Sequence, residues 1–362
     1  MKRSFFGTLT LSCVLLIFIS AGHASDQTCK GLYSAAVILC DQGQWTDAAK
    51  VARMALKKAE SAQGSHRVQV LRSLRLLDKV QREHGNFLEA KRFCNRAYTV
   101  SLALYGNAHP GSVRSLVALG DLSAREGKYT EAESHYRSAV KSGAQAGSVS
   151  DIEVASALVG LAGICRTEGK NQEARKLYEH ALEAYDMWRK YRPALNEPVA
   201  DILCNLGDMD KERGAFSVAS ESYRKAIEKL TTLASPENAK IADTRMRLAD
   251  LYIRWGKPVR AERQFKKAVT TYHNVGGNEI KSAIAMKCIG DLQAERGNWA
   301  LAERYYTKSV MTLSDCSPSC DLTLATVMKA LADLKMRRGD HARAIPVYGK
   351  ILATLNMGSG QK

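Results

Sequence analysis

The chain is built from one unit repeated eight times, and this periodicity limits its fold more than any other feature. Each unit contains one glycine at an equivalent position, and consecutive glycines lie 41 to 45 residues apart. Alanine stands five residues after every one of them. Periods of 20 to 50 residues are typical of arrays in which each unit packs on its neighbours. We number the repeats 1 to 8 by these turn glycines, which are Gly43, Gly85, Gly127, Gly169, Gly214, Gly256, Gly297 and Gly339.

Each unit is predicted to be a pair of helices joined at its glycine. Residues 115–126, before the third glycine, carry apolar side chains at three- and four-residue spacing, and residues 130–141 supply the second helix. Glycine ends the first helix because the chain turns there through positive φ. One helix pair cannot bury both of its faces, so neighbouring units must stack. The sequence therefore predicts an all-α fold, an α-solenoid of about eight helix-turn-helix repeats.

An aromatic residue follows the glycine by nine positions in six of the units, where it fills the gap between the two helices. These residues are Tyr136, Tyr178, Tyr223, Phe265, Tyr306 and Tyr348. The fifth unit resembles the tetratricopeptide repeat at six positions, which are Leu206, Gly207, Gly214, Ala219, Tyr223 and Ala226. The period of 42 residues and the loop at 104–113 resemble the longer repeats of the kinesin light chain type. Ala52 and Cys94 depart from the pattern, since they replace the aromatic residue in the first two units.

The resemblance implies a right-handed superhelix whose concave groove binds a peptide or protein partner. In this architecture the first helix of each unit lines the groove. The residue six positions before the glycine is aspartate in five repeats, and arginine follows four positions later in three of them. These candidate groove residues are Asp121, Arg125, Asn205, Asp208, Lys211, Asp250, Arg254, Asp291, Asp333 and Arg337. They have two interpretations: acid-to-base pairs that stabilise each helix, or a row of alternating charges that an extended peptide contacts.

The N-terminus predicts export. A positively charged start at residues 1–3 precedes an apolar run at 9–19 and small residues at 22 and 24, which is typical of a signal peptide cleaved after Ala24. The alternative is an uncleaved membrane anchor, although the run is shorter than the roughly 20 residues that span a bilayer. We expect a signal peptide at 1–24, eight repeats of about 42 residues over 29–356, a flexible tail at 357–362 and a periplasmic or secreted protein without a transmembrane segment.

The sequence carries no catalytic motif. It lacks the paired histidines of zinc proteases and the Gly-x-Ser-x-Gly of serine hydrolases, and Gly169-Lys170 lacks the remainder of a phosphate-binding loop. We therefore expect a scaffold for protein–protein interaction that is not an enzyme and holds no cofactor and no metal. Cys316 and Cys320 stand four residues apart in an inter-repeat loop, where a turn can bring them within bridging distance, and they are a candidate disulfide.

The excess of positive charge suggests an alternative function. The chain has 53 Lys and Arg against 37 Asp and Glu, a net charge of +16. This excess is concentrated in the end repeats, since residues 29–84 and 325–362 each hold five more basic than acidic side chains. The alternative is therefore an adaptor that docks an anionic polymer or a membrane surface, while nucleic acid is not expected as a partner of an exported chain. The candidate anion patch comprises Arg67, Arg72, Arg75, Arg189, Lys190 and Arg192.

Overall fold

The computed structural model describes residues 25–61, 67–145, 152–189, 191–233, 239–314 and 321–359. Within these ranges the chain forms sixteen α-helices, one short 3-10 helix at Pro193–Leu195 and no strand, so the all-α prediction is confirmed. The predicted signal peptide, Lys190 and the candidate disulfide Cys316–Cys320 lie outside the described residues. In that described part, no helix is both long and apolar enough to cross a membrane.

The chain divides into two compact units, residues 1–187 and 188–362, and the division falls in the last turn of the eighth helix. The helices of the first unit are α1 (Ser25–Asp41), α2 (Trp45–Ser61), α3 (Arg67–Glu83), α4 (Phe87–Tyr105), α5 (Pro110–Arg125), α6 (Tyr129–Gln145), α7 (Ile152–Thr167) and α8 (Asn171–Arg189). Odd-numbered helices are the first helices of their repeats, and each second helix up to α6 also packs on the first helix of the next repeat.

The second unit continues the same alternation. Its helices are α9 (Asn196–Glu212), α10 (Phe216–Thr231), α11 (Ala239–Arg254), α12 (Pro258–Val275), α13 (Glu279–Glu295), α14 (Trp299–Ser314), α15 (Asp321–Arg337) and α16 (His341–Ser359). The first helices α13 and α15 also contact one another directly, which places their outer faces side by side. Helix α16 runs to Ser359. Residues 357–359, which the sequence analysis assigned to a flexible tail, are therefore the last residues of this helix.

The turn between the two helices of a repeat explains the recurring glycine. All eight turn glycines have positive φ, from 68° at Gly256 to 79° at Gly85. In repeat 5 the amide of Gly214 donates to the carbonyl of Lys211, and the next amide, of Ala215, donates to Asp210 at 2.8 Å. This pair of bonds satisfies carbonyls at the end of α9 and reverses the chain. A residue with a Cβ would be strained in this conformation.

Small residues let the helices approach closely and leave room for the aromatic side chains. The alanines five positions after the turn glycines are fully buried in all eight repeats. Tyr136 shows the packing most clearly, because its ring lies between Gly120 on α5 and Gly160 on α7. A Cβ at Gly120 would lie 2.6 Å from this ring, and one at Gly160 would lie 2.3 Å from it. The ring therefore fills the space that two glycines from neighbouring repeats leave open.

Candidate functional site on the first helices

The recurring aspartate of the first helix bonds to the recurring tyrosine of the second. In four repeats the tyrosine hydroxyl donates to the aspartate fifteen residues earlier, at 2.6 to 2.8 Å in three of them. The pairs are Tyr136 with Asp121, Tyr223 with Asp208, Tyr306 with Asp291 and Tyr348 with Asp333. A glycine directly precedes the aspartate in the first three pairs, and its missing Cβ allows the ring to approach. Each bond ties the two helices of one repeat together.

The charges of these pairs follow from their burial. Burial raises the pKa of Tyr136, and the negative charge of Asp121 raises it further, so the hydroxyl remains a donor. Burial also raises the pKa of Asp121, and the hydrogen bond from Tyr136 offsets that rise only in part. In repeat 8, the balance is reversed. The hydrogen bond from Tyr348 lowers the pKa of Asp333 and outweighs the opposite effect of burial. These carboxylates are therefore engaged within the fold.

Repeat 6 differs because phenylalanine replaces the tyrosine. Phe265 has no hydroxyl, and Asp250 turns outward, with 54 % of its side chain exposed. Its carboxylate accepts a hydrogen bond at 2.8 Å from Lys211 of the preceding repeat. In the opposite direction, Arg247 of repeat 6 reaches back to Asp208 of repeat 5. Two ion pairs of opposite sense therefore join α9 to α11 across the repeat boundary.

The helix-internal pairs that the sequence suggested, in which aspartate pairs with an arginine four residues later, are not formed among the described residues. The carboxylates pair instead with lysines four residues earlier, as Lys287 does with Asp291 at 2.8 Å and Lys329 with Asp333 at 3.0 Å. The lysines extend toward these carboxylates, which the tyrosines already hold from the second helix. The three acid-to-arginine pairs are therefore absent at these positions in the described residues, whereas Asp208 does pair within its helix with Lys211, three residues later, at 3.7 Å.

The three arginines of those expected pairs point elsewhere. Arg125 lies over the ring of Phe87, 5.6 Å from its centre. Arg254 and Arg337 are exposed, and neither has a carboxylate within ion-pair distance in the described part of the chain. Asn205 is half-buried on α9, one turn before Asp208. On the first helices of the second unit, the recurring aspartates are therefore satisfied within the protein, whereas the exposed Glu295 carboxylate and two guanidinium groups form no ion pair within the described residues.

A pocket of about 400 Å³ lies between α13 and α15, on the face where these first helices meet. Its charged lining carries both signs and consists of Lys287, Asp291, Glu295, Lys329, Asp333 and Arg337. Tyr306 from α14 reaches into the same space, where its hydroxyl donates to Asp291. The pocket thus brings together three of the candidate groove residues, Asp291, Asp333 and Arg337, and it offers both donors and acceptors to the backbone of an extended peptide.

The candidate anion patch is only partly open. Arg67 and Arg72 are exposed on α3, but Arg75 is half-buried and donates to the backbone carbonyl of Gly111 at 2.8 Å. Burial lowers the pKa of Arg75, and the positive charge of Arg114 lowers it further. Arg75 therefore holds repeat 2 to repeat 3 and does not belong to an open patch. Near the end of α8, the Arg192 guanidinium lies 6.0 Å from the centre of the Trp188 ring.

The cysteines in the described residues are structural. Cys40, Cys94, Cys165 and Cys204 are buried and free, Cys288 is half-buried and free, and Cys29 is buried. Burial raises the pKa of the Cys94 thiol, and that of Cys288 rises to about 11 for the same main reason. Thiols with raised pKa values are poor nucleophiles and poor metal ligands at neutral pH. No group of three or more potential metal ligands occurs within the ranges that the structure covers.

The comparison with protein families identifies the repeats. The tetratricopeptide repeat model matches residues 79–145, 111–187 and 153–232 in three overlapping passes. Residues 79–232 therefore match the tetratricopeptide repeat, as the sequence pattern predicted. No curated protein sequence matches the chain.

Solved structures with the same fold have little sequence in common with this chain. The structure of BtubC (BKLC) from P. vanneervenii is 20% identical, with a TM-score of 0.54, over 63% of this chain and 91% of that one. The apo form of the quorum sensor NprR from B. thuringiensis is 11% identical, with a TM-score of 0.62, over 94% and 91%. A signal transduction ATPase with a tetratricopeptide repeat sensor, from Pyrococcus horikoshii, is 16% identical, with a TM-score of 0.67, over 95% of this chain. This chain spans half the length of that ATPase.

Proposed function

We propose that this protein is an exported, non-catalytic scaffold that binds a peptide or protein partner on the first-helix face of its second unit. The tetratricopeptide fold is typical of scaffolds for protein–protein interaction, and the family model supports that class for this chain. The observation that carries the proposal is the pocket between α13 and α15, with charged side chains of both signs around an open space of about 400 Å³. A pocket of this size accommodates side chains of a bound segment.

The free charges on this face indicate what the partner carries. Asp291 and Asp333 already accept hydrogen bonds from tyrosine and lysine side chains, whereas Arg254 and Arg337 lack a carboxylate partner within the described ranges. A guanidinium binds a carboxylate through two parallel hydrogen bonds. We therefore expect an extended segment with acidic side chains that contacts Arg337 at the pocket and Arg254 on α11.

Binding of acidic peptides tests this proposal. An array of extended peptides is probed with the purified chain and with the variant Arg254→Glu/Arg337→Glu. The matched control is Arg304→Glu/Lys308→Glu, which makes the same change in charge at two exposed positions of α14 outside this face. We expect the first variant to lose about tenfold or more in affinity for acidic peptides, since a charge-assisted bond becomes repulsive, and the control to keep it. Equal binding by all three proteins would contradict the proposed face.

Export has a separate test. The protein is isolated from the periplasm or medium of its native cell, and its N-terminus is sequenced. We expect the mature chain to begin at Ser25, one residue after the predicted cleavage site. Recovery only from the cytosol, with Met1 retained, would contradict export but would leave the binding face untouched.

A further inference from the structure

A second pocket, of about 470 Å³, carries positive side chains on three helices and no acidic side chain. We call it the basic pocket. Its five cationic residues are Arg224 on α10, Arg245 on α11, and Arg260, Arg263 and Lys267 on α12. The positions on α12 are separated by three and four residues, so these three side chains share one face of that helix. The pocket lies in the part of the sequence whose overall charge is nearly balanced, so composition alone gives no sign of it.

Among the described residues, the five cations of the basic pocket have no carboxylate partner. Elsewhere in the second unit, acidic side chains neutralise exposed lysines and arginines, as Glu262 does for Lys266 and Arg296 on the neighbouring face of α12. Within the described ranges, no ion pair involves any of the five residues of the pocket. Like charges held around one space repel each other, and that repulsion is relieved when an anion enters.

Arg245 adds to the pocket a polar atom that the protein itself leaves unbonded. Its Nε is buried and has no hydrogen-bond partner in the protein. A buried donor without an acceptor costs free energy, and native proteins rarely keep one unless another molecule supplies the acceptor. Burial also lowers the pKa of Arg245, and no negative charge nearby offsets this effect.

Tyr252 helps to fix the wall of the pocket. Arg224 donates to its hydroxyl at 3.0 Å, and the hydroxyl of Ser220 lies 3.2 Å away. Burial alone would raise the pKa of Tyr252, but these two hydrogen bonds and the charges of Arg224 and Arg260 outweigh it and lower the pKa. The field in the pocket therefore favours negative charge, and Arg224 is held in position before any ligand arrives.

We propose that the basic pocket binds an anion that carries two or more phosphoryl groups. The guanidinium fork matches phosphoryl oxygens, and four arginines with one lysine provide more positive charge than a single phosphate or carboxylate would neutralise. The volume also exceeds that of a single phosphate. On α11 the pocket uses Arg245, Leu248 and Tyr252, whereas the face proposed for peptide binding uses Arg254, so the two sites are distinct.

Calorimetric titration of the full-length chain with tripolyphosphate tests this inference. The test variant is Arg263→Glu/Lys267→Glu. Its matched control is again Arg304→Glu/Lys308→Glu, because these residues occupy the same two positions relative to the turn glycine in the next repeat. We expect saturable binding of one tripolyphosphate per chain, a loss of about tenfold or more in the test variant, and a change of less than about twofold in the control.

Three results would overturn the inference. The first is that the unmutated chain shows no saturable binding of tripolyphosphate. The second is an equal loss of affinity in the test and control variants, which would show attraction to overall charge alone. The third is that citrate binds as tightly as tripolyphosphate, which would show a site for carboxylates. Arg260→Gln removes a single exposed charge and serves as a second test variant if the double variant unfolds. Peptide binding on the first-helix face is measured in parallel, and we expect Arg263→Glu/Lys267→Glu to leave it unchanged.

Discussion

Two glycines three residues apart on α7 are expected to respond in opposite directions to the same substitution. Gly160 faces the ring of Tyr136, and a Cβ there would lie 2.3 Å from Cζ and 2.4 Å from Cε1 of that ring. At Gly163 a Cβ would meet nothing within 4 Å. Both residues are helical, half-buried and outside the positive-φ region, so the Gly→Ala change differs between them only in what the new methyl group meets.

The magnitudes follow from two opposing effects. Alanine stabilises a helix interior by roughly 0.5–1 kcal/mol relative to glycine, and Gly163→Ala should show about this gain. At Gly160 the ring would have to move by more than 1 Å to reach an ordinary carbon–carbon contact of about 3.5–4 Å. It cannot move toward α5, since Gly120 is packed against its other side. Overpacking of this kind typically costs about 1–3 kcal/mol, so Gly160→Ala should destabilise the protein in spite of the gain in helix propensity.

Urea unfolding followed by circular dichroism measures both variants against the unmutated chain. We expect the midpoint to fall for Gly160→Ala and to rise for Gly163→Ala, with a difference between the variants of about 1–3 kcal/mol, because the gain in helix propensity is common to both. If Gly160→Ala were as stable as Gly163→Ala, the ring of Tyr136 would not depend on the two glycines, and the account of how neighbouring repeats pack would be refuted.

Two further predictions concern buried carboxylates. Tyr223→Phe removes the hydrogen bond to Asp208, whose side chain is only 12% exposed, and should destabilise the protein by about 1–2 kcal/mol; the loss is no larger because Arg247 and Lys211 remain beside the carboxylate. Tyr348→Phe removes the hydrogen bond to Asp333, which is 41% exposed, and should cost about 0.5 kcal/mol or less. Equal losses of stability in urea unfolding would contradict this reasoning. Burial raises the pKa of Asp78 to about 6, so the folded state holds this proton more tightly than the unfolded state does. The stability that the protonated carboxyl contributes is fully present below about pH 4 and is lost as the pH rises through 6. Asp78→Asn should therefore gain stability relative to the unmutated chain between pH 4 and 6.5, and a difference that does not vary with pH would argue against it.

The repeat pattern was sufficient to predict the fold but not the contacts of the charged residues. The turn glycines, the buried alanines and the aromatic positions each follow from backbone geometry or close packing, which act within one unit and recur in the sequence. The bond between Asp208 and Tyr223 also left a signal, since aspartate and tyrosine recur fifteen residues apart in four repeats. The basic pocket left none, because its residues come from three helices of two repeats and no equivalent set recurs.

The tyrosine–aspartate bond changes what the recurring aspartate means for binding. A residue that recurs on the presumed binding face invites a functional interpretation, but at Asp121, Asp208 and Asp291 the carboxylate is held by the second helix of its own repeat. Repeat 6 is the informative exception. Where Phe265 replaces the tyrosine, the aspartate is released, and Asp250 lies outward beside Lys211. The aromatic position buried between the helices thus decides whether the aspartate on the outer face serves the fold or remains open to a partner. Phe265→Tyr should draw Asp250 inward and leave Lys211 with Asp208 as its only remaining ion-pair partner among the described residues, and binding of acidic peptides on this face should then increase.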